Sequence, residues 1–268
     1  AIAERTVRMR QLQLHTERKT DFDPSVRRRN ESPFQSIKHT SNTRREMRFQ
    51  GAFSTPPVVQ NIIILNILFF MAEAILPARI GDWMFTHLGL YFWESGNFHL
   101  HQLVTHMFMH ANLTHLFMNM FALWMFGRTL EYELGSKRFL IYYMVTGVGA
   151  ALIQLGVTWI QVDSMSSAAF VDQAKLQSLI YAPMIGASGA VFGVLLAFGM
   201  MHPNAILMLL FPPIPIKAKY LVIGYGVLEL FLGTTGLQSG VAHFAHLGGM
   251  LWGFFLLRYW KKKGEIYY

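Results

Sequence analysis

The chain has 268 residues, 53% of them hydrophobic and only 14% charged, with a formal net charge of +8 and no cysteine. An average soluble chain is about 25% charged, so the apolar content points to a solvent other than water. The missing cysteine excludes disulfide frameworks, Cys-ligated zinc and a thiol nucleophile.

Residues 1–50 hold 12 Lys/Arg against 6 Asp/Glu, a net +6, and few large apolar side chains. Such a segment buries too little apolar surface to offset its ordering entropy, so 1–55 is expected to be a basic, flexible tail. Its acids make it a poor transit peptide, and it lacks the continuous apolar core of a signal sequence. The Arg27–Arg29 run is read as part of this tail, with no nucleic-acid partner expected.

From residue 58 the character changes. Apolar segments run at about 58–76, 113–130, 138–161, 183–201, 219–235 and 242–260. Each is close to the roughly 20 residues that cross a bilayer as helix. The predicted fold is therefore all-α: a polytopic bundle of six transmembrane helices over 56–263, with 264–268 as a short C-terminal tail. Placing the N-terminus in the cytoplasm puts 21 of the 23 Lys/Arg inside and leaves only Arg79 and Lys175 outside. By the positive-inside rule both termini are cytoplasmic.

The connection 77–112 is too long for a turn and too apolar for a solvated loop. Its aromatic residues, among them Trp83, Tyr91, Phe92 and Trp93, predict short helices lying partly in the outer leaflet. The 163–182 stretch reads as an ordinary polar loop.

With this topology the second, fourth and sixth segments all run from outside to inside. Ser188 lies five residues after Pro183, His246 four residues into the last segment, and His115 and Asn119 one turn apart on the second. At 1.5 Å rise per residue all four fall within roughly 10 Å of the outer boundary. A hydroxyl, an imidazole and an amide at one depth resemble the parts of an acyl-transfer site. Histidine can take the serine proton, and amide or imidazole donors can face an oxyanion. Gly186, Gly189 and Gly193, with Gly248, Gly249 and Gly253, permit close approach of the fourth and sixth segments.

These residues resemble the rhomboid family of intramembrane serine proteases. The matching runs are Gly186-Ala187-Ser188-Gly189, Ala245-His246 with Gly249 and Gly253 following, and His115 to Asn119 in HLFMN. Glu131-Tyr132-Glu133-Leu134-Gly135 is similar to the family's ExxLG turn, and His106, His110 and His115 repeat its histidine spacing. The chain differs at His101-Gln102, where the family often carries Trp-Arg. The resemblance covers about 58–260 and implies Ser188 as nucleophile and His246 as general base, a dyad without an acidic third member. It implies an oxyanion site of the Ser188 N–H, His110 and Asn119, with His115, Gly186, Gly189 and Gly249 in support. It further implies a membrane-embedded first loop and a mobile fifth helix beside the substrate path.

The expected partners are transmembrane protein substrates and the lipid bilayer, with no cofactor and no metal. A six-helix core without an extra helix favours a bacterial inner membrane. Three rivals stand beside this reading. One is a metal site in His99, His101, His106, His110 and His115. Another is a transporter using Glu73 and Glu229, against which Glu229 reads as a hydrogen-bonded packing or gating residue, and the third is a non-proteolytic rhomboid-like binding module.

Overall fold

The computed structural model describes residues 55–168, 170–208, 213–237 and 241–268. The basic tail expected at 1–55 lies almost entirely outside them. Helix α1 (Pro57–Ile75) begins on a proline at its first position, where the missing N–H costs nothing. Its next two N–H groups are capped from far away in sequence. Val58 N donates to Glu131 Oε1 at 2.9 Å and Val59 N to Glu131 Oε2 at 2.7 Å. Ser136 Oγ donates to the same carboxylate at 2.6 Å, and Glu131 is buried. The Glu131–Gly135 turn thus ties three helix ends together.

The 77–112 connection forms short helices: α2 (Ala78–Leu88), a 3-10 turn at Trp93–Ser95, α3 (Gln102–Thr105) and a 3-10 turn at His106–Phe108. The Gln102 side chain, buried at His101-Gln102, binds this region from inside. Its Oε1 accepts from Tyr91 N and His99 N, and its Nε2 donates to Asn97 O at 2.9 Å. Helix α4 (Leu113–Ala122) starts on Asn112, whose Oδ1 accepts from His115 N at 2.8 Å. It continues through a π turn (Leu123–Gly127) into α5 (Arg128–Leu134), which Gly135 ends at φ 78°.

Helix α6 (Ser136–Ser166) has 31 residues, about 46 Å at 1.5 Å each. It is the central post: Phe139, Tyr142 and Tyr143 are fully buried, and Tyr142 lies against both α8 (Ser188–Met201) and α10 (His243–Lys262). The stretch 163–182, expected to be a loop, is helical at both ends. The α6 helix continues to Ser166, and α7 (Gln173–Tyr181) is capped by Asp172. Leu176, Leu179 and Ile180 pack on Leu90, Phe92 and Leu155, and this apolar contact orders what composition alone marked as polar. A two-stranded antiparallel ribbon, β1 (Ile206–Met208) and β2 (Pro215–Lys217), leads to α9 (Ala218–Thr235).

Helices thus occupy all six apolar segments. Among the described residues, α1 and α6 are long and apolar enough to cross a membrane by themselves. Helix α8, in the fourth apolar segment, is shorter than expected. It starts at Ser188, not Pro183, and its 14 residues rise only about 21 Å. Ala182 is extended, as a residue before proline prefers to be. Met184 pairs with Leu90 in an isolated bridge, and Gly186 sits at φ 119°, which no helix tolerates. The C-terminal residues fold back, with Ile266 in the core and Lys261 Nζ donating to Tyr268 O at 2.8 Å.

Ends of different helices meet. Arg138 Nε lies 3.7 Å from Glu265 Oε2, and His202 Nε2 3.0 Å from a Glu133 oxygen. The starts of α8 and α10 are at the opposite end. Outward faces of α1 (Ile64, Leu68, Ile75) and α9 (Ile223, Val227, Phe231) are apolar and exposed.

Candidate active site

Ser188 is the first residue of α8, so its hydroxyl and the first free N–H groups of the helix share one place. Gly186 turns the chain into that start. Its N–H donates to His106 O at 2.9 Å, which anchors the loop to the first connection. A Cβ at Gly186 would stand 2.7 Å from His115 Cε1, so only glycine lets the His115 ring lie against the loop beside Ser188.

His246 lies one turn into α10. Its Nε2 is 2.8 Å from Ser188 Oγ, a hydrogen bond across 58 residues of sequence. Close approach of α8 and α10 makes this possible: a Cβ on Gly249 would collide with the Gly189 carbonyl, while one on Gly189 would meet Ala150 Cβ of α6 at 2.5 Å. The other glycines work differently from the expected pairing of α8 with α10. Gly193 makes room for Thr146 and Gly253 for Tyr142, both on α6, while Tyr142 Oη donates to Gly193 O at 2.8 Å. Helix α6 is therefore the third wall of the site. Phe192, one turn beyond Ser188, stacks on the His246 ring with centroids 4.2 Å apart and planes within 4°.

The two expected side-chain donors are both buried. Asn119 Nδ2 gives one N–H to His115 O at 2.8 Å, and an amide nitrogen carries a second. Both ring nitrogens of His110 are buried without a well-directed hydrogen bond among the described residues, and its ring meets His115 edge-on at 5.0 Å. Burial, followed by the neighbouring His115, lowers the His110 pKa to about 4, so it stands neutral near pH 7 with one N–H to donate. His115 is half-buried and within electrostatic range of His246.

The histidines proposed as a metal rival do not converge as a group of five. His106 Nδ1 bonds Gln102 O at 2.8 Å, His101 Nε2 bonds His87 O at 2.7 Å, and His99 stacks on His101. Among the described residues, the donor atoms close enough to share an ion belong to Glu229, His243 and His246, within 4.8 Å of one another. From sequence alone Glu229 reads as a packing or gating residue, and His243 and Phe192 do not stand out. Two signals were available: a carboxylate inside an apolar helix needs a partner, and His243 precedes His246 by three residues on one helix face.

A Rhomboid-domain family model matches residues 97–262, well over half of the chain. The chain belongs to the rhomboid family. It is 32% identical over 146 residues to Rhomboid protein 1, mitochondrial, of Saccharomyces cerevisiae, covering 54% of this chain and 38% of that protein. It is 31% identical over 155 residues to Rhomboid protease AarA of Providencia stuartii, covering 55% and 51%. It is 28% identical over 168 residues to the Presenilin-associated rhomboid-like protein, mitochondrial, of Bos taurus, covering 59% and 39%. The chain spans about half, or less, of the length of these curated relatives. Rhomboid proteins are integral membrane proteins, and the family includes intramembrane serine proteases as well as inactive members. The relatives are named for mitochondria and chloroplasts as well as coming from a bacterium, so a bacterial inner membrane gains no support.

Proposed function

We propose that this rhomboid protein is an intramembrane serine endopeptidase that cuts other membrane proteins within or beside a transmembrane helix. The observation that carries the reading is the 2.8 Å contact between Ser188 Oγ and His246 Nε2 at the free N-terminus of α8. The catalytic core is 56–263, a six-helix bundle with both termini in the cytoplasm and the site toward the outer leaflet. In support, basic residues gather at the end opposite Ser188, where Arg138 approaches Glu265. The exposed apolar faces of α1 and α9 suit lipid contact. The short helices between 77 and 112 lie partly in the outer leaflet.

In the reaction, His246 Nε2 takes the Ser188 proton while Oγ bonds to the scissile carbonyl carbon. The carbonyl oxygen becomes an oxyanion facing the Ser188 N–H, Asn119 Nδ2 and the N–H of His110. The helix start favours negative charge there. The intermediate collapses as the C–N bond breaks and the imidazolium gives its proton to the leaving nitrogen. Water, deprotonated by His246, then releases the acyl group and restores Ser188. Because a helix hides its peptide bonds, a substrate must unwind locally, which favours segments with small and helix-destabilising residues. Co-reconstituted with a single-span substrate in vesicles, the chain should cleave it. Ser188→Ala and His246→Ala should each abolish cleavage while remaining folded. Retained cleavage in folded Ser188→Ala would overturn the mechanism. Folded chain that binds the substrate without cutting it would move the assignment to a non-proteolytic binding module.

A further inference from the structure

Resting on this serine-protease reading, we propose that Glu229 is a positioning residue for His246. Its carboxylate, brought from α9 and shared with His243, holds the imidazole with Nε2 toward Ser188 and balances the imidazolium formed during acyl transfer. The site thereby gains the acidic third member that the sequence reading left out.

The geometry is a carboxylate oxygen between two rings. Glu229 Oε2 lies 2.6 Å from His243 Nδ1 and 3.0 Å from His246 Nδ1. All three residues are buried, with Glu229 only 7% exposed. The His243 contact is a hydrogen bond. The His246 contact is as close as an ion pair but less well directed, since His246 Nδ1 makes no fully aligned hydrogen bond. A carboxylate oxygen has two acceptor lone pairs and so can face two N–H groups. An N–H on Nδ1 of His246 leaves its Nε2 lone pair for the Ser188 hydroxyl, the tautomer a general base requires. Phe192, stacked flat on the ring, limits its tilt about that axis.

Glu229 also has a reason to be there that packing does not supply. An ionised carboxylate in a buried apolar setting is costly unless paired. Here the pairing is made with the two imidazoles at the site. The same three donor atoms could be taken for a metal site. Zinc bonds to nitrogen and oxygen of about 2.0–2.1 Å place tetrahedral ligands about 3.3 Å apart. A 2.6 Å separation between Glu229 Oε2 and His243 Nδ1 is a direct hydrogen bond with no space for an ion between.

The test compares the full chain with Glu229→Gln and Glu229→Asp in lipid vesicles. Two rates are read: labelling of Ser188 by a small fluorophosphonate, and cleavage of a single-span substrate. An orienting carboxylate is worth up to about 10⁴ in the Ser-His-Asp triad. With the weaker direction here, Glu229→Gln should lose at least about tenfold in both labelling rate and kcat. KM should stay within about twofold, and Glu229→Asp should recover part of the loss. A folded Glu229→Gln chain that labels at the parental rate overturns the inference and leaves Ser188 and His246 as a dyad. Loss of substrate cleavage with unchanged labelling would assign Glu229 to substrate entry and overturn it equally. If the unsubstituted chain neither labels nor cleaves, the protease reading itself fails. A second measurement does not depend on a Glu229 variant folding. Solid-state ¹⁵N spectra of the chain, with the His246 signals identified by their loss in His246→Asn, should show Nδ1 protonated and Nε2 bare. The opposite tautomer, or stoichiometric zinc in purified chain, overturns the proposal.

Discussion

Replacing Gly249 by alanine puts a methyl group against the backbone of the facing helix. The added Cβ would overlap the Gly189 carbonyl oxygen and stand 2.7 Å from the Gly189 carbonyl carbon. Carbon atoms rest about 3.5–4.0 Å apart at their optimum. The obstacle is backbone and cannot swing aside, so α8 and α10 must part by roughly 1 Å. The Ser188–His246 separation of 2.8 Å would then leave hydrogen-bonding range. A displacement of that size at reacting groups costs about 10²-fold in rate, and the overpacking itself costs about 1–3 kcal/mol. The assay is fluorophosphonate labelling of Ser188 beside thermal unfolding in one detergent. Gly156→Ala is the control: nothing stands within 4 Å of its Cβ, and it should label at the parental rate. If folded Gly249→Ala labels as fast as the control, the glycine contact does not set the serine–histidine geometry, and the reasoning fails.

Asn119→Ala should keep the fold and lower kcat by about 10² to 10³, the usual cost of one oxyanion donor; an unchanged kcat would remove Asn119 from the site. Glu131→Gln should destabilise the chain by about 1–3 kcal/mol, because a buried carboxylate accepting two helix-start N–H groups and a hydroxyl loses its charge; thermal unfolding reads this directly. His106 is buried, and burial, opposed in part by its bond to the Gln102 carbonyl, lowers its pKa to about 4. The unfolded chain therefore binds a proton here that the folded chain refuses. The His106 contribution to stability should fall as pH drops from about 6.5 to 4, by up to about 3 kcal/mol, and be flat above that window, with His110 acting in the same direction. His106→Gln should weaken that dependence, and an unaltered unfolding profile between pH 4 and 6.5 would refute it.

Much of the site was legible because it is periodic and sparsely polar. In segments with few charges, Ser188, His246, Asn119 and His115 stand out, and helix rise alone put them at a shared depth. The start of α8 was misread by five residues because apolar composition continues through 183–187. Pro183 and Gly186 were the signals, and they act on the backbone rather than on hydropathy. The helix at 173–181 was missed for the opposite reason: its polar surface hides Leu176, Leu179 and Ile180, which find their partners only in the first connection. Glu229 was visible as an odd carboxylate but could not be joined to His246. The two lie on separate helices, and the pairing exists only once α9 packs on α10.

Labelling of the full chain with a fluorophosphonate, followed by mapping of the modified peptide, reads out the nucleophile itself. One adduct per chain is expected, on Ser188, lost in Ser188→Ala and strongly slowed in His246→Ala. Folded protein that takes up no probe, or takes it up elsewhere than at Ser188, would contradict it.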